Sequence, residues 1–242
     1  MFSSYNYVMT NNVIIEVCIG NITDALTASR YPIDRIELNS ALELGGLSPS
    51  LETIRTLKEK TEVPLCCMCR PRGGDFCYDE LEYETMLKDA RNMLETGADG
   101  IVFGFLTKDK EIDIGRTKTM SELIHSYRKE AIFHKAFDEL EDLDKGAQIL
   151  IGCQIDRILT SGKCVYPEIL EGCRRIAELN QKYRGTIQFL PGGGVRIENV
   201  QDVLRISQSG QVHMTSKKQS DGGYICFDEE QFQRILKEIE SL

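Results

Sequence analysis

The amino-acid sequence predicts a single (β/α)8 barrel of the TIM type, and three observations lead to this fold class. Short β-rich runs alternate with longer amphipathic stretches eight times along the chain. Such alternation is typical of a parallel sheet covered by helices. The length of 242 residues suits one barrel domain. Glycine-rich turns follow several of the β-rich runs, as expected where backbone lies close to a ligand or turns tightly. We therefore expect a flexible tail over residues 1–12 and one barrel domain over residues 13–242.

Each strand and helix can be assigned in order. The predicted strands are residues 13–18, 34–39, 63–70, 100–105, 131–138, 155–160, 186–191 and 211–216. The predicted helices lie near residues 21–30, 49–60, 79–96, 116–128, 143–151, 166–181, 197–206 and 228–240. Ser48 followed by Pro49 predicts the N-cap and first residue of the second helix. Gly97 predicts the C-terminal end of the third helix.

Composition restricts the kinds of partner. The net charge is −9, and no run of Lys and Arg is long enough for a nucleic-acid or anionic-membrane surface. The sequence shows no export signal and no stretch of 18 apolar residues. The nine cysteines are therefore expected to be reduced thiols. We expect a cytoplasmic protein, with a nuclear fraction allowed.

Two carboxylates lie inside strands that are otherwise apolar. Glu16 is in the first predicted strand and Glu37 in the second. Strand side chains alternate between faces, and an unpaired carboxylate packed under a helix is costly. Both side chains are therefore expected to point into the barrel lumen and to converge there. They are either an acid/base pair or members of a buried salt-bridge network.

A shaped loop follows the third strand, with the sequence RPRGGDF over residues 70–76. Arg70 could bind a carboxylate or phosphate through two parallel hydrogen bonds. Alternatively, Arg70 only neutralises Glu16 and Glu37. Arg72 and Asp75 are further candidate ligand-binding residues of this loop.

The fifth predicted strand carries His134, Lys135 and Asp138. On an extended strand, His134 and Asp138 would lie roughly 13 Å apart at about 3.3 Å per residue. This separation predicts a division of roles, with His134 deep in the lumen as acid/base or as a core histidine, and Asp138 at the rim. Lys135 is a candidate anion clamp.

The ends of the last three strands suggest an anion site. Ser161 follows strand six, Gly193 and Gly194 follow strand seven, and Ser216 ends strand eight. Barrels of this type often bind phosphate with the loops after strands seven and eight. The alternative is that the glycines only form a tight turn.

The cysteines also suggest a metal ion. The run CCMC over residues 66–69 cannot converge on one ion, because alternate residues of a strand face opposite sides. Cys18 is the better candidate ligand, because it shares a face with Glu16 near a strand end.

The order of these motifs resembles the CutC copper-homeostasis family. The resemblance runs from Val13 to Ser216 and rests on the segments IEVC, DRIEL, GGLSPS, RPRGGDFCY, FHKAFD, LTSG and PGGGV. It implies a TIM-type barrel, a cytosolic location, a role in copper tolerance or Cu(I) handling, and a homodimer. The chain departs from the family pattern at two positions: Asn39 stands where the family often has a cysteine, and Lys135 where it usually has arginine.

Three hypotheses follow. The first is a copper-homeostasis protein that binds Cu(I) or acts in copper tolerance. The second is an enzyme of unknown activity acting on a small phosphorylated or carboxylated metabolite. In it Glu16 and Glu37 are the acid/base pair, Arg70 and Lys135 the anion clamps, and His134 a proton shuttle. The third is a barrel whose buried carboxylates are only structural.

Overall fold

The computed structural model describes residues 13–242 and confirms the predicted barrel. Its eight parallel strands are β1 Ile14–Ile19, β2 Arg35–Leu38, β3 Leu65–Met68, β4 Gly100–Phe103, β5 Glu130–Phe133, β6 Arg157–Thr160, β7 Gln188–Pro191 and β8 Gln211–Met214. The helices are α1 Ile22–Ala28, α2 Leu51–Lys60, α3 Glu80–Thr96, α4 Ile114–Ser126, α5 Leu143–Gly152, α6 Ile169–Lys182, α7 Val200–Ser207 and α8 Glu229–Glu240. Short 3-10 helices lie at Leu42–Leu44 and Lys135–Glu139. The predicted tail over residues 1–12 lies outside the described residues.

The barrel is nearly closed. The hydrogen-bonded strand order is β7-β6-β5-β4-β3-β2-β1-β8, so β1 pairs with both β2 and β8. Side chains join β7 and β8, the two strands at the ends of this order. The Gln211 amide donates to Gln188 Oε1 at 3.3 Å, and the Ser209 hydroxyl donates to the Phe189 carbonyl at 2.6 Å.

The main apolar core lies between the strands and the surrounding helices. Helix α8 shows the pattern, because its buried residues Phe232, Ile235, Leu236 and Ile239 recur at helical spacing. The lumen holds a smaller apolar cluster, formed by Cys66, Met68, Val102 and Ile132. Cys67 and Cys69 instead pack in the main core. Residues 66–69 thus face alternate sides of the sheet, as the strand period requires.

Of the two helix ends predicted from the sequence, one is confirmed and the other is wrong. Gly97 ends α3 with φ +112°, and its N–H donates to the Leu94 carbonyl at 3.1 Å. The predicted N-cap of α2 is wrong: Ser50, and not Ser48, accepts from the Thr53 N–H. Ser48 is engaged elsewhere, since its hydroxyl accepts from the Arg70 N–H at 2.9 Å.

The predicted fifth strand is too long. β5 ends at Phe133, and the chain enters the 3-10 helix that begins at Lys135. His134 caps this helix, because its Nδ1 accepts from the Ala136 N–H at 3.1 Å. The extended spacing expected between His134 and Asp138 is therefore wrong. A helical turn carries Asp138 towards the end of β6 instead.

The chain after β8 also differs from the prediction. β8 ends at Met214 rather than at residue 216, and an antiparallel hairpin follows, formed by β9 Lys217–Gln219 and β10 Ile225–Phe227. Across residues 13–242, no helix is both long enough and apolar enough to span a bilayer.

Candidate functional site

Side chains from β1, β2 and β8 meet inside the barrel. Strand register places Glu16 opposite His213 on β8, and Cys18 opposite Glu37 on β2. Glu16, Glu37 and His213 are all buried, and Cys18 is partly buried. The two carboxylates converge on His213: its Nδ1 lies 2.9 Å from Glu16 Oε1, and its Nε2 lies 3.9 Å from Glu37 Oε2.

Glu16 is an ionised carboxylate held by two arginines and by the hydrogen bond from His213. Arg35 Nε lies 2.9 Å and Arg157 Nη2 lies 3.2 Å from Glu16 Oε2. Burial raises the pKa of Glu16, but the hydrogen bond from His213 and the charges of Arg157 and Arg35 outweigh burial and lower the pKa to about 2. Because Glu16 carries no proton at neutral pH, Nδ1 of His213 must be the donor of their hydrogen bond.

This bond fixes the tautomer of His213. With the proton on Nδ1, the neutral ring presents an unprotonated Nε2 towards Glu37 and Cys18. Burial lowers the pKa of His213, but the charges of Glu37 and Glu16 and the hydrogen bond to Glu16 outweigh it and raise the pKa overall. A histidine that donates its second N–H to a carboxylate is the usual arrangement of a metal ligand.

Cys18, Glu37 and His213 fit a metal ion. One ligand atom from each lies within 4.8 Å of the others. Three ligand atoms arranged around one ion by bonds of about 2.0–2.3 Å lie roughly 3.3–4.0 Å apart, so the side chains would have to move together by at most about 1.5 Å. Glu37 Oε1 is buried and has no hydrogen-bond partner among the described residues. Burial and the negative charge of Glu37 raise the pKa of the Cys18 thiol well above its usual range. An ion bound to Cys18 must therefore displace the thiol proton.

The predicted neutralising role of Arg70 is wrong, because Arg70 binds loop backbone and not Glu16 or Glu37. Its Nη1 donates to the carbonyls of Leu44, Gly45 and Gly46 at 3.2–3.4 Å, and Nη2 donates to the Gly74 carbonyl at 2.8 Å. The Arg70 guanidinium carbon also lies 5.0 Å from the centre of the Phe76 ring. The side chain holds together the loops after β2 and β3.

Arg72 and Asp75 lie on the outer side of the same loop. Arg72 donates to Asp75 Oδ1 at 3.1 Å and to Glu82 Oε1 at 2.5 Å, and its guanidinium carbon lies 5.0 Å from the Tyr78 ring centre. These contacts join the loop to helix α3. The proposed ligand-binding role of both residues stays a prediction.

His134 is buried beside this loop. Its ring centre lies 4.6 Å from that of Phe76, and its Nε2 has no hydrogen-bond partner in the described part of the chain. Burial and the nearby Arg70 charge lower the pKa of His134 to about 3. The imidazole is therefore neutral at physiological pH.

Asp138 and Ser161 meet at the end of β6. Asp138 accepts from the Thr160 hydroxyl, from the Ser161 N–H at 3.0 Å and from the Ser161 hydroxyl at 2.8 Å. Lys135 Nζ lies 3.9 Å from Asp138 Oδ2. The Ser161 hydroxyl thus has an acceptor within the protein.

The remaining candidates lie at the ends of β7 and β8. Gly193 and Gly194 have φ angles of +91° and +144°. The Ser216 hydroxyl donates to the Asp228 carbonyl at 2.8 Å, just before α8. Gly193 and Gly194 border a cavity, whereas Ser216 ties β8 to the last helix.

Comparison with known proteins identifies the family. The sequence profile of the CutC family matches residues 13–218 of this chain. A family protein CutC from Treponema denticola is 39% identical over 210 residues, covering 87% of this chain and 84% of that protein. The chain belongs to the CutC family.

Other relatives and solved structures agree with this assignment. The human copper homeostasis protein cutC homolog is 37% identical over 213 residues, covering 88% of this chain and 77% of its own length. The crystal structure of CutC from Streptococcus agalactiae superposes with a TM-score of 0.76 at 31% identity, covering 83% of this chain and 97% of that one. Phosphoribosyl anthranilate isomerase from Thermococcus kodakaraensis gives a TM-score of 0.59 at 19% identity over 93% of this chain and 98% of its own, which shows the fold alone.

Asn39, one of the two positions where the chain was expected to depart from the family pattern, contacts two of the candidate ligands, Glu37 and Cys18. Its Nδ2 donates to Glu37 Oε2 at 2.9 Å and lies 3.4 Å from Cys18 Sγ. The amide therefore positions the thiol and the carboxylate, although it offers no sulfur ligand.

Arg35, Arg157 and His213 are site residues of this CutC chain that were not predicted from its sequence. Arg157 is fully buried and also donates to Glu130 Oε1 at 2.9 Å. The sequence did contain a pattern that could have indicated two of them. Arg157 and His213, like Glu16, are polar residues inside predicted strands. Which polar residues pair across the lumen depends on the closed barrel.

Proposed function

We propose that the chain acts in copper homeostasis by binding Cu(I) at Cys18, His213 and Glu37. The single observation that carries the proposal is the convergence of a thiol, an imidazole and a carboxylate within 4.8 Å. Thiolate and imidazole are donors that suit copper. The names of the human and other relatives, which refer to copper homeostasis, support the choice of metal.

Each residue has a distinct part in this proposal. The Cys18 thiol loses its proton and supplies the soft ligand. His213 offers Nε2, because Glu16 holds the proton on Nδ1 at 2.9 Å. Glu37 supplies an oxygen ligand and negative charge. Glu16 acts as a positioning residue through His213, and Arg35 and Arg157 keep it ionised.

The alternative enzyme hypothesis receives less support at this site. A general acid or base must exchange a proton near the working pH. The pKa of Glu16 is about 2, since the hydrogen bond from His213 and the charges of Arg157 and Arg35 favour the carboxylate. Glu16 is therefore better suited to holding His213 than to transferring protons.

The proposal includes a cytoplasmic location, where thiols such as Cys18 stay reduced. The homodimer expected from the family resemblance stays a prediction, and size-exclusion chromatography with light scattering would test it.

Competition with a chromophoric Cu(I) chelator under anaerobic conditions tests the proposal. We expect wild-type protein to withdraw Cu(I) from the chelator, and Cys18→Ser to lose at least about tenfold in affinity, or about 1.4 kcal/mol. Cys164→Ser is the matched control, because Cys164 is another partly buried free thiol, located in the loop after β6. Equal affinity of wild type and Cys18→Ser would exclude Cys18 as a ligand. Equal loss in both variants would point to nonspecific binding by thiols.

A further inference from the structure

The cavity bordered by Gly193 and Gly194 lies beside the proposed copper site, at the ends of β5, β7 and β8. Its volume is about 300 Å³. This is the lower end of the range for small-molecule pockets, and it exceeds what a phosphate group needs. The polar and backbone groups relevant to binding belong to Lys135, Tyr166, Gly193, Gly194, Arg196 and Thr215.

The cavity wall is cationic although the chain is acidic overall. None of the residues that line it carries a carboxylate. Arg196 donates through Nη1 to the Val195 carbonyl at 2.8 Å, and its guanidinium carbon lies 5.5 Å from the Tyr166 ring centre. Within residues 13–242, Arg196 forms no ion pair with a carboxylate.

Lys135 is only loosely neutralised. Its Nζ lies 3.9 Å from Asp138 Oδ2, beyond hydrogen-bond distance. Asp138 is already satisfied, since it accepts from the Thr160 hydroxyl and from both the N–H and the hydroxyl of Ser161. Lys135 Nζ therefore has N–H donors available for a ligand in the cavity, and Asp138 offsets only part of its charge.

The backbone after β7 adds hydrogen-bond donors. Gly193 and Gly194 have positive φ angles, a conformation that favours glycine. Among the described residues, the N–H groups of Gly193, Gly194 and Val195 donate to no protein acceptor. The Gly194 carbonyl instead accepts from Asn199 Nδ2 at 3.0 Å, outside the loop. Successive free N–H groups in such a turn form an anion-binding concavity.

Glycine is also required sterically at position 193. A Cβ placed on Gly193 would lie 2.7 Å from Lys135 Nζ. The loop therefore lets the Lys135 ammonium lie directly against its backbone, so that side-chain and backbone donors reach the same space.

We propose that this cavity binds the phosphate group of a small phosphorylated metabolite. Arg196 and Lys135 supply charge, and the backbone N–H groups supply directional donors, which together match the several oxygens of a phosphate better than the two of a carboxylate. The remaining wall, with Val165, Val195 and Met214, accommodates an apolar or neutral part of the ligand. His213 also borders the cavity, so the ligand would contact the proposed copper site.

Calorimetric titration of the metal-free, full-length protein with glycerol 3-phosphate, inorganic phosphate and malonate tests this proposal independently of copper. We expect glycerol 3-phosphate to bind most tightly. Arg196→Gln and Lys135→Met should each weaken it by about tenfold or more. The matched controls are Arg174→Gln and Lys237→Met, which change exposed cations on α6 and α8 and should leave binding unchanged.

Both test residues are partly exposed, so these variants are expected to fold, and circular dichroism would verify it. The proposal is overturned if glycerol 3-phosphate does not bind, or if the test variants bind as well as the controls do. Malonate binding more tightly than both phosphates would overturn the phosphate assignment. Inorganic phosphate binding as tightly as glycerol 3-phosphate would overturn the metabolite assignment. Cu(I) affinity measured on the same variants would separate this result from failure of the copper proposal.

Discussion

Nδ1 of His213 donates a hydrogen bond to Glu16 Oε1 at 2.9 Å, deep inside the barrel. The two residues are opposite each other on the neighbouring strands β8 and β1. Because Arg35 and Arg157 keep Glu16 ionised, the proton stays on Nδ1, and Nε2 of His213 is available to a ligand. The buried charge network, which in isolation would look purely structural, thus determines the chemistry of the imidazole next to Cys18 and Glu37.

Replacing Glu16 should weaken copper binding without removing any ligand. In Glu16→Gln the amide oxygen can still accept from His213, but its charge is lost. We expect Cu(I) affinity to fall by about 10–100-fold, the usual effect of a lost outer-shell partner. The variant should also be destabilised by about 3 kcal/mol, because a buried ion pair is broken. Chelator competition and urea unfolding would measure the two effects.

Glu130→Gln is the matched control for this prediction. Glu130 pairs with Arg157 at 2.9 Å from the other side of the network, and within the described residues it forms no hydrogen bond or ion pair with His213. We expect some loss of stability with unchanged Cu(I) affinity. If Glu16→Gln behaved like Glu130→Gln, losing stability but not affinity, Glu16 would have no positioning role.

Replacing Asn39 by cysteine should strengthen copper binding. Asn39 Nδ2 lies 3.4 Å from Cys18 Sγ, so a thiol at position 39 would lie near the same ion. A second soft ligand should raise Cu(I) affinity by at least about tenfold. Asn39→Ser controls for loss of the amide, and it should bind no more tightly than wild type. The same competition assay would contradict the proposed site if Asn39→Cys gave no increase.

Arg70 should matter for stability and not for anion binding. Arg70→Lys removes the planar fork that binds the carbonyls of Gly45, Gly46 and Gly74, and we expect a loss of about 3 kcal/mol in unfolding free energy. Arg72→Lys, on the exposed side of the loop, should cost less than about 1 kcal/mol. Glycerol 3-phosphate titration of Arg70→Lys should match wild type. A loss of binding with unchanged stability would instead support the anion-clamp role predicted from sequence.

His134 should make the protein less stable in acid. Its pKa is lowered from the ordinary 6.5 to about 3 by burial and the nearby Arg70 charge. Below pH 6.5 the unfolded chain therefore takes up a proton that the folded protein does not, and stability falls as the pH falls towards 3. Between pH 7.5 and pH 5 this loss should be about 2 kcal/mol.

His134→Asn isolates this contribution, because an asparagine oxygen can still cap the Ala136 N–H but does not titrate in this range. Urea unfolding at pH 7.5 and pH 5 should show that the variant loses about 2 kcal/mol less than wild type. Identical pH dependence of the two proteins would show that His134 is not kept neutral by the fold.

Local patterns were enough to predict much of the barrel. Strand and helix periodicity located all eight βα units, and the alternation rule placed Glu16 and Glu37 in the lumen. The prediction failed where a side chain changed the backbone: His134 caps a 3-10 helix and so ends β5 early. Such competition between a local cap and strand extension is not visible in hydrophobic periodicity.

By itself the sequence determined the fold class, the family resemblance and the residues that carry ionisable groups into the lumen. Tertiary structure alone decided which of them meet: Glu16 pairs with Arg35, Arg157 and His213, whereas Arg70 binds loop carbonyls. The physical reason is that secondary structure depends on neighbours in sequence, but pairing across the lumen depends on strand register and barrel closure. These bring residues 16, 157 and 213 within hydrogen-bond distance despite their separation along the chain.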